Sequence, residues 1–281
     1  MPWTEAQIAM LAEMGLPVWQ PAPAAPTAPA PAPLSPAATT APATALATAA
    51  TPPPPPPAPV VKRLAPPPAA PAPVPAPAPA PHPRSDTAAI AQLGWPALRQ
   101  AVADCRACKL CESRKQTVFG VGHEQAHWMI VGEAPGEQED AQGEPFVGTS
   151  GQLLDRMLAA LKLSRSAGPA QQQVYIANTL KCRPPHNRNP EPAELAQCEP
   201  FLARQVALMQ PKIIVAMGRF AVQSLLRTGE PIGKLRGRVH RYQGVPLVVT
   251  YHPAYLLRSP TEKARSWEDL CLAAQTYEDS L

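Results

Sequence analysis

Three side chains of different chemistry, Glu133, Asn178 and His252, each stand at or just past the end of a short apolar run. In an open α/β sheet such positions fall at the carboxyl ends of strands, where ligands bind. A carboxylate, an amide and an imidazole brought to one edge from separate strands form a functional constellation. Asparagine suits a strand poorly. At the end of Val174–Asn178 it either caps the following turn or offers a donor and an acceptor to the edge of a base. Glu133 lies within Gly132-Glu133-Ala134-Pro135-Gly136, where neither helix nor strand continues and glycines let backbone N–H groups approach a ligand. Acidic Glu137, Glu139 and Asp140 follow, then Pro145-Phe146-Val147-Gly148. Acidic groups, exposed amides and one aromatic face suit a flat, polar, uncharged ring better than a phosphate, and a nucleobase answers that description. The segment also lacks the Lys-Ser/Thr pair with which a phosphate-binding loop cradles a nucleotide.

A second set of reactive groups is sulfur. Cys105-x2-Cys108-x2-Cys111 presents thiols one tight turn apart, which is metal-ligand spacing. Cys182 and Cys198 follow with 15 residues between them, and Cys271 lies near the end. Four ligands are needed, and Cys105, Cys108, Cys182 and Cys198 are the expected set. Cys111 and Cys271 then read as small buried hydrophobes. Spacing does not separate zinc from a 4Fe–4S cluster. A redox pair would also use Cys-x2-Cys, but no thioredoxin-like context surrounds this one.

The elements that must position these groups alternate. Trp128–Val131, Val174–Thr179, Lys212–Met217 and Val245–Tyr251 read as buried strands. Helices are expected over Ala88–Ala107, from about Gly151 onward, and over Pro192–Met209, Arg219–Arg227 and Thr261–Tyr277. Alternation of this kind predicts an α/β domain. Two loops add candidates. Lys181–Pro190 is proline-locked and basic, and carries Asn187 and Arg188. Gly233–Tyr242 holds Lys234, Arg236, Arg238 and Arg241, either a solvated face or a phosphate contact. After His252, the apolar residues of Tyr255-Leu256-Leu257 beside Arg258 form a loop tip able to wedge into a base stack, unless it folds back on the core.

Composition bounds the rest. Of 281 residues, 41 are proline, most of them before residue 90. Residues 20–87 are a disordered Ala/Pro-rich linker, too poor in apolar surface to offset its chain entropy. Residues 88–281 are one domain, with core enough to fold. Residues 1–88 hold three basic and three acidic side chains, so the formal charge of +4 belongs to the folded part. That excess permits nucleic-acid binding without demanding it. Residues 1–19 form a short amphipathic segment, either a docked turn or a peptide anchor for a replication or repair protein, and resemble the N-terminal anchor of a clamp-loader accessory subunit. With no basic n-region, and with Glu5 and Glu13 among its apolar residues, this start is not expected to be a signal peptide. The expectation is a cytoplasmic monomer with no membrane contact and no disulfides.

Taken together, Gly132–Gly136, Pro145–Gly148, Asn178, Lys181–Pro185 with Asn187-Arg188, Cys198 and His252–Arg258 resemble the family 4, iron–sulfur uracil-DNA glycosylases, in order over about residues 95–279. The resemblance implies a three-layer α/β/α sandwich around a central four-stranded parallel sheet, and a 4Fe–4S cluster on Cys105, Cys108, Cys182 and Cys198. It implies uracil-containing DNA, single- or double-stranded, as substrate, and hydrolysis of the N-glycosidic bond to leave an abasic site in base excision repair. Glu133, Ala134, Phe146, Asn178 and His252 would hold the uracil. His252 would stabilise the departing base, and Glu133, Glu139 or Asn187 would position water. Arg236, Arg238, Leu256, Leu257 and Arg258 would contact DNA. Cys111 departs from the family pattern. So does the loop around His186, which lacks the basic insertion of a sister group that traps uracil on histidine. The competing class is a non-catalytic four-cysteine iron–sulfur or zinc module that binds nucleic acid.

Overall fold

The computed structural model describes residues 86–166 and 168–281. The expectations for the anchor segment, residues 1–19, and for residues 20–85 of the linker lie outside the described residues. In chain order the helices are α1 (Thr87–Ile90), α2 (Trp95–Asp104), α3 (Leu110–Ser113), α4 (Glu137–Gln142), α5 (Thr149–Ala160), α6 (Pro192–Met209), α7 (Arg219–Leu226), α8 (Ile232–Leu235), α9 (Pro253–Arg258) and α10 (Lys263–Glu278). The strands are β1 (Val121–Gly122), β2 (Trp128–Gly132), β3 (Val174–Asn178), β4 (Ile213–Met217), β5 (Val239–Tyr242) and β6 (Val245–Thr250).

All strands join one sheet in the order β1-β3-β2-β4-β6-β5. The central four run parallel, and β1 and β5 add antiparallel edges. Parallel strands are covered on both faces, and β2, β3 and β4 are accordingly buried at every residue. Alternate side chains feed two cores. Trp128, Ile130, Val174, Ile176, Ile213 and Val215 pack with α5 and α10. Met129, Val131, Tyr175, Ile214, Ala216 and Val249 pack with α6 and α7 on the other face. These are the three layers of the expected sandwich. The chain runs from β2 outward to β3, then crosses back to β4 on the other side. The carboxyl end of β2 is therefore a topological switch point, the place where open α/β sheets bind ligands.

Several expectations need correction. The long first helix is two, α1 and α2, separated at Gly94, with Pro96 in the first turn of α2 where its missing N–H costs nothing. Part of the basic stretch Gly233–Tyr242 is a strand, β5, hydrogen-bonded to β6. The expected loop tip is the helix α9, with His252 as its N-cap. Within α9, Leu256 is fully buried in the first core and is no wedge, while Leu257 is 43% exposed. Arg236 is not a free phosphate ligand either. Its Nε donates to buried Asp269 at 3.0 Å, its Nη2 donates to the Arg265 carbonyl and lies 3.6 Å from Glu268, and the guanidinium sits over the Tyr251 ring. Arg236, at the end of α8, instead ties the α8–β5 connection to α10.

Truncating a fully buried leucine loses transfer energy and leaves a cavity. Leu256→Ala is expected to lower unfolding stability by about 2–5 kcal/mol in denaturant titrations. Leu257→Ala is expected to stay within about 0.5 kcal/mol of the parent.

Candidate active site

All four parallel strands deliver groups to one edge. β2 runs into the Gly132–Gly136 loop, β3 ends on Asn178, β4 is followed by Gly218, and β6 leads to Tyr251 and His252. They line a cavity of about 620 Å³. Its loop from β2 is fixed by β3: the Thr179 and Leu180 amides donate to the Gly132 and Glu133 carbonyls, both at 3.0 Å, and Thr179 Oγ1 donates to the Glu133 carbonyl at 2.6 Å. Against Gly132 of that loop lies Phe146, whose ring stacks on His252 at 5.3 Å between centroids and 27° between planes. Phe146 holds φ at 56°, a left-handed conformation that an aromatic residue rarely adopts.

Glu139 explains how that conformation is kept. One carboxylate oxygen accepts from the Gly136 amide at 3.1 Å, the other from the Val147 and Gly148 amides at 3.1 and 3.3 Å. The side chain staples the two loops flanking α4. Three backbone amides take most of its acceptor capacity, so Glu139 serves as a loop brace on the cavity wall. Asn187 Oδ1, on the rim, accepts from Arg183 Nε at 2.8 Å.

The electrostatics of the remaining groups differ. Burial pushes the Glu133 carboxyl up to about 7, against the opposing pull of the Arg219 guanidinium. Burial, reinforced by the Arg258 charge and only partly opposed by Glu139, pushes His252 down to about 4. The imidazole is therefore neutral near pH 7. The Ala254 amide donates to its Nδ1 at 3.2 Å, which assigns the proton to Nε2 and leaves that nitrogen a donor. Asn178 Oδ1 is buried with no hydrogen-bond partner. Such an orphaned acceptor costs about 1–3 kcal/mol unless a ligand satisfies it.

The structure thus brings Glu133, Ala134, Glu139, Phe146, Asn178 and His252 to one cavity, with Asn187 and Arg258 at the same site. Arg236, Arg238, Leu256 and Leu257 are not among its walls. Arg238 is exposed and lies 3.6 Å from Glu230. Arg219, Tyr251 and Tyr255 also line the cavity. Sequence reasoning passed over Arg219 because a cation opening a helix usually faces solvent; the signal was its place directly after Gly218, at the end of β4.

Beside the pocket lies a smaller cavity lined by Cys105, Cys108, Cys111, Cys182 and Cys198. Burial pushes the Cys108 thiol up to about 11 and Cys198 up to about 12, and raises Cys182 as well. Buried thiolates in such a place need a compensating cation. The donor set, soft sulfur from two Cys-bearing segments, fits an iron–sulfur cluster or zinc by type and number. Among the described residues no three His, Cys, Asp or Glu side chains are arranged to hold a metal ion. Cys111 lines this cavity, contrary to its expected place as a plain core residue, whereas Cys271 packs beside the first core. Ala134 packs against the cluster of Leu110, Leu180, Cys182 and Cys198, so the sulfur cavity backs the ligand loop.

The sequence pattern of the uracil DNA glycosylase superfamily matches residues 119–273. A type-4 uracil-DNA glycosylase of Archaeoglobus fulgidus is 41% identical over 167 residues, 57% of this chain and 81% of the relative. One from Thermotoga maritima is 40% identical over 169 residues, covering 59% and 84%. A type-5 uracil-DNA glycosylase of Pyrobaculum aerophilum is 32% identical over 146 residues, covering 48% and 64%. With its pocket at the switch point and its cysteines behind the β2 loop, the chain belongs to the uracil-DNA glycosylase superfamily and, within it, to the type-4 enzymes.

Proposed function

We propose that the cavity receives a uracil turned out of DNA and that the chain hydrolyses its N-glycosidic bond, leaving an abasic site for repair. The observation that carries this reading is the buried, unpartnered Asn178 oxygen in the same cavity as the stacked Phe146–His252 pair. A base inside a duplex is out of reach, so it must be extruded. Once in the pocket it stacks on Phe146. Asn178 Oδ1 accepts from uracil N3–H, and the amide nitrogen donates to O4. Cytosine has an acceptor at N3 and donors at N4, so it leaves both buried groups unpaired and is rejected.

Cleavage of the bond between C1′ and N1 sends its electron pair into the base, and negative charge collects on O2. His252, neutral and carrying its proton on Nε2, is the preorganised donor to that oxygen. Water adds to C1′ and gives up a proton to the ionised Glu133 carboxylate, which passes it to solvent. Glu133 is the residue to orient that water, since Glu139 is taken by backbone amides and Asn187 by Arg183. Arg258, on the cavity wall, grips phosphate, and exposed Leu257, with Tyr255, fills the vacated stack.

The same reading places a 4Fe–4S cluster on Cys105, Cys108, Cys182 and Cys198. When bound, such a cluster supplies a fixed cross-link between the two cysteine segments and so holds the loop behind Ala134 in place. Purified protein is expected to carry iron and acid-labile sulfide with the brown absorbance of that group.

Release of labelled uracil from single- and double-stranded oligonucleotides tests the whole. His252→Ala is expected to lower the rate roughly 100–1,000-fold with DNA binding retained. A parent chain that binds such DNA but releases no base is instead a non-catalytic module. The rate should climb as pH rises through about 7, where Glu133 ionises, and Glu133→Gln should remove that climb. Stability runs the opposite way: the folded state keeps a proton that the unfolded chain gives up near 4.5, so stability falls between 4.5 and about 7. In melting curves Glu133→Gln should flatten that fall.

A further inference from the structure

The cysteine cavity has a cation built into its wall. Arg114 Nη1 donates to Cys182 Sγ at 3.0 Å. The same guanidinium reaches the other cysteine segment, with Nη2 donating to the Ala103 carbonyl at 3.0 Å and the Cys105 carbonyl at 2.9 Å. One planar fork therefore spans both halves of the thiol set, and its charge lies against the sulfur of a buried residue. The backbone continues the connection. The Lys115 amide donates to buried Asp140 in α4 at 2.9 Å, and Gln116 Nε2 donates to the Ala141 carbonyl at 2.6 Å. Helix α4 is the one that Glu139 ties to the Phe146 loop.

We propose that Arg114 is a positioning residue for the cysteine-bound group: it holds the Cys105 segment against Cys182 and offsets part of the thiolate charge through an N–H···S hydrogen bond. The inference rests on the iron–sulfur reading above and goes beyond it by assigning a role to a residue that is not a ligand. Two consequences separate its parts. Hydrogen bonds and positive charge at a ligating sulfur favour the reduced, more negative cluster, so they raise its reduction potential. The bridge to two carbonyls, by contrast, governs how firmly the site keeps its metal. Lysine retains the charge but cannot span three acceptors with a planar fork.

Arg114→Met and Arg114→Lys, each reconstituted with iron and sulfide, are compared with the parent for iron loss to a chelator and for midpoint potential by voltammetry. Arg114→Met is expected to lose iron roughly 10–100-fold faster and to shift the potential to a more negative value. Arg114→Lys should lose iron faster too, with a potential closer to that of the parent. Parent-like iron retention and potential in Arg114→Met overturn the proposal. If Arg114→Met does not fold, Arg114→Lys decides: parent-like retention there overturns the bridging role. A parent chain that takes up no iron overturns the iron–sulfur reading itself, and this inference with it, whatever the variants do.

Discussion

The site depends on the lack of a side chain at Gly132. A Cβ there would lie 2.4 Å from Asn178 Oδ1 and 2.6 Å from the Phe146 ring. Backbone, amide and aromatic ring share a volume that admits only glycine. The register of the sheet enforces the meeting, because Gly132 and Asn178 are direct partners across β2 and β3. A second close approach holds the ring itself: a Cβ at Gly151 would fall 1.8 Å from the Phe146 carbonyl oxygen. The start of α5 can then nest under the strained residue while Glu139 grips the two amides after it. Recognition geometry thus begins as a steric exclusion between backbone segments, and the polar chemistry is laid over it.

The polar chemistry itself opposes folding. An unpaired buried oxygen, a carboxyl whose ionised form is disfavoured and an imidazole held neutral are each less comfortable in this cavity than in water. The two apolar clusters on either face of the sheet supply the surplus that tolerates them. These three groups lie together at the carboxyl edge of the strands, on the cavity wall. Some groups elsewhere that look equally awkward are satisfied. Lys181, wholly buried, donates to the carbonyls of Phe119 and Asn178 and to Gln205 Oε1.

Much of this was legible in the sequence, for physical reasons that differ by element. Strands buried on both faces must be continuous apolar runs, so β2, β3, β4 and β6 announce themselves. Polar residues that end such runs are out of place unless the edge has work to do, which singled out Asn178 and His252. β5 was missed because it is an edge strand with alternating exposure and charged residues, indistinguishable from a basic loop. α9 was misread because Pro253 looks like a break, although proline in a first helical turn is favourable. The inward turn of Leu256 follows from that helix alone. The partners of Arg236 and Glu139 were hidden in different ways. Asp269 is 33 residues from Arg236, and no local pattern carries that pairing. Glu139 binds main-chain amides, which every sequence possesses.

The superfamily pattern begins at residue 119, yet Cys105, Cys108 and Arg114 all precede it. So does Lys115, whose amide holds buried Asp140. A fragment cut at that boundary would retain every side chain of the base pocket while losing two of the four expected sulfur donors and the fork that joins them to Cys182. The shared pattern is therefore shorter than the stretch that carries the sulfur cavity, and the residues before 119 supply Cys105, Cys108 and Arg114 to it.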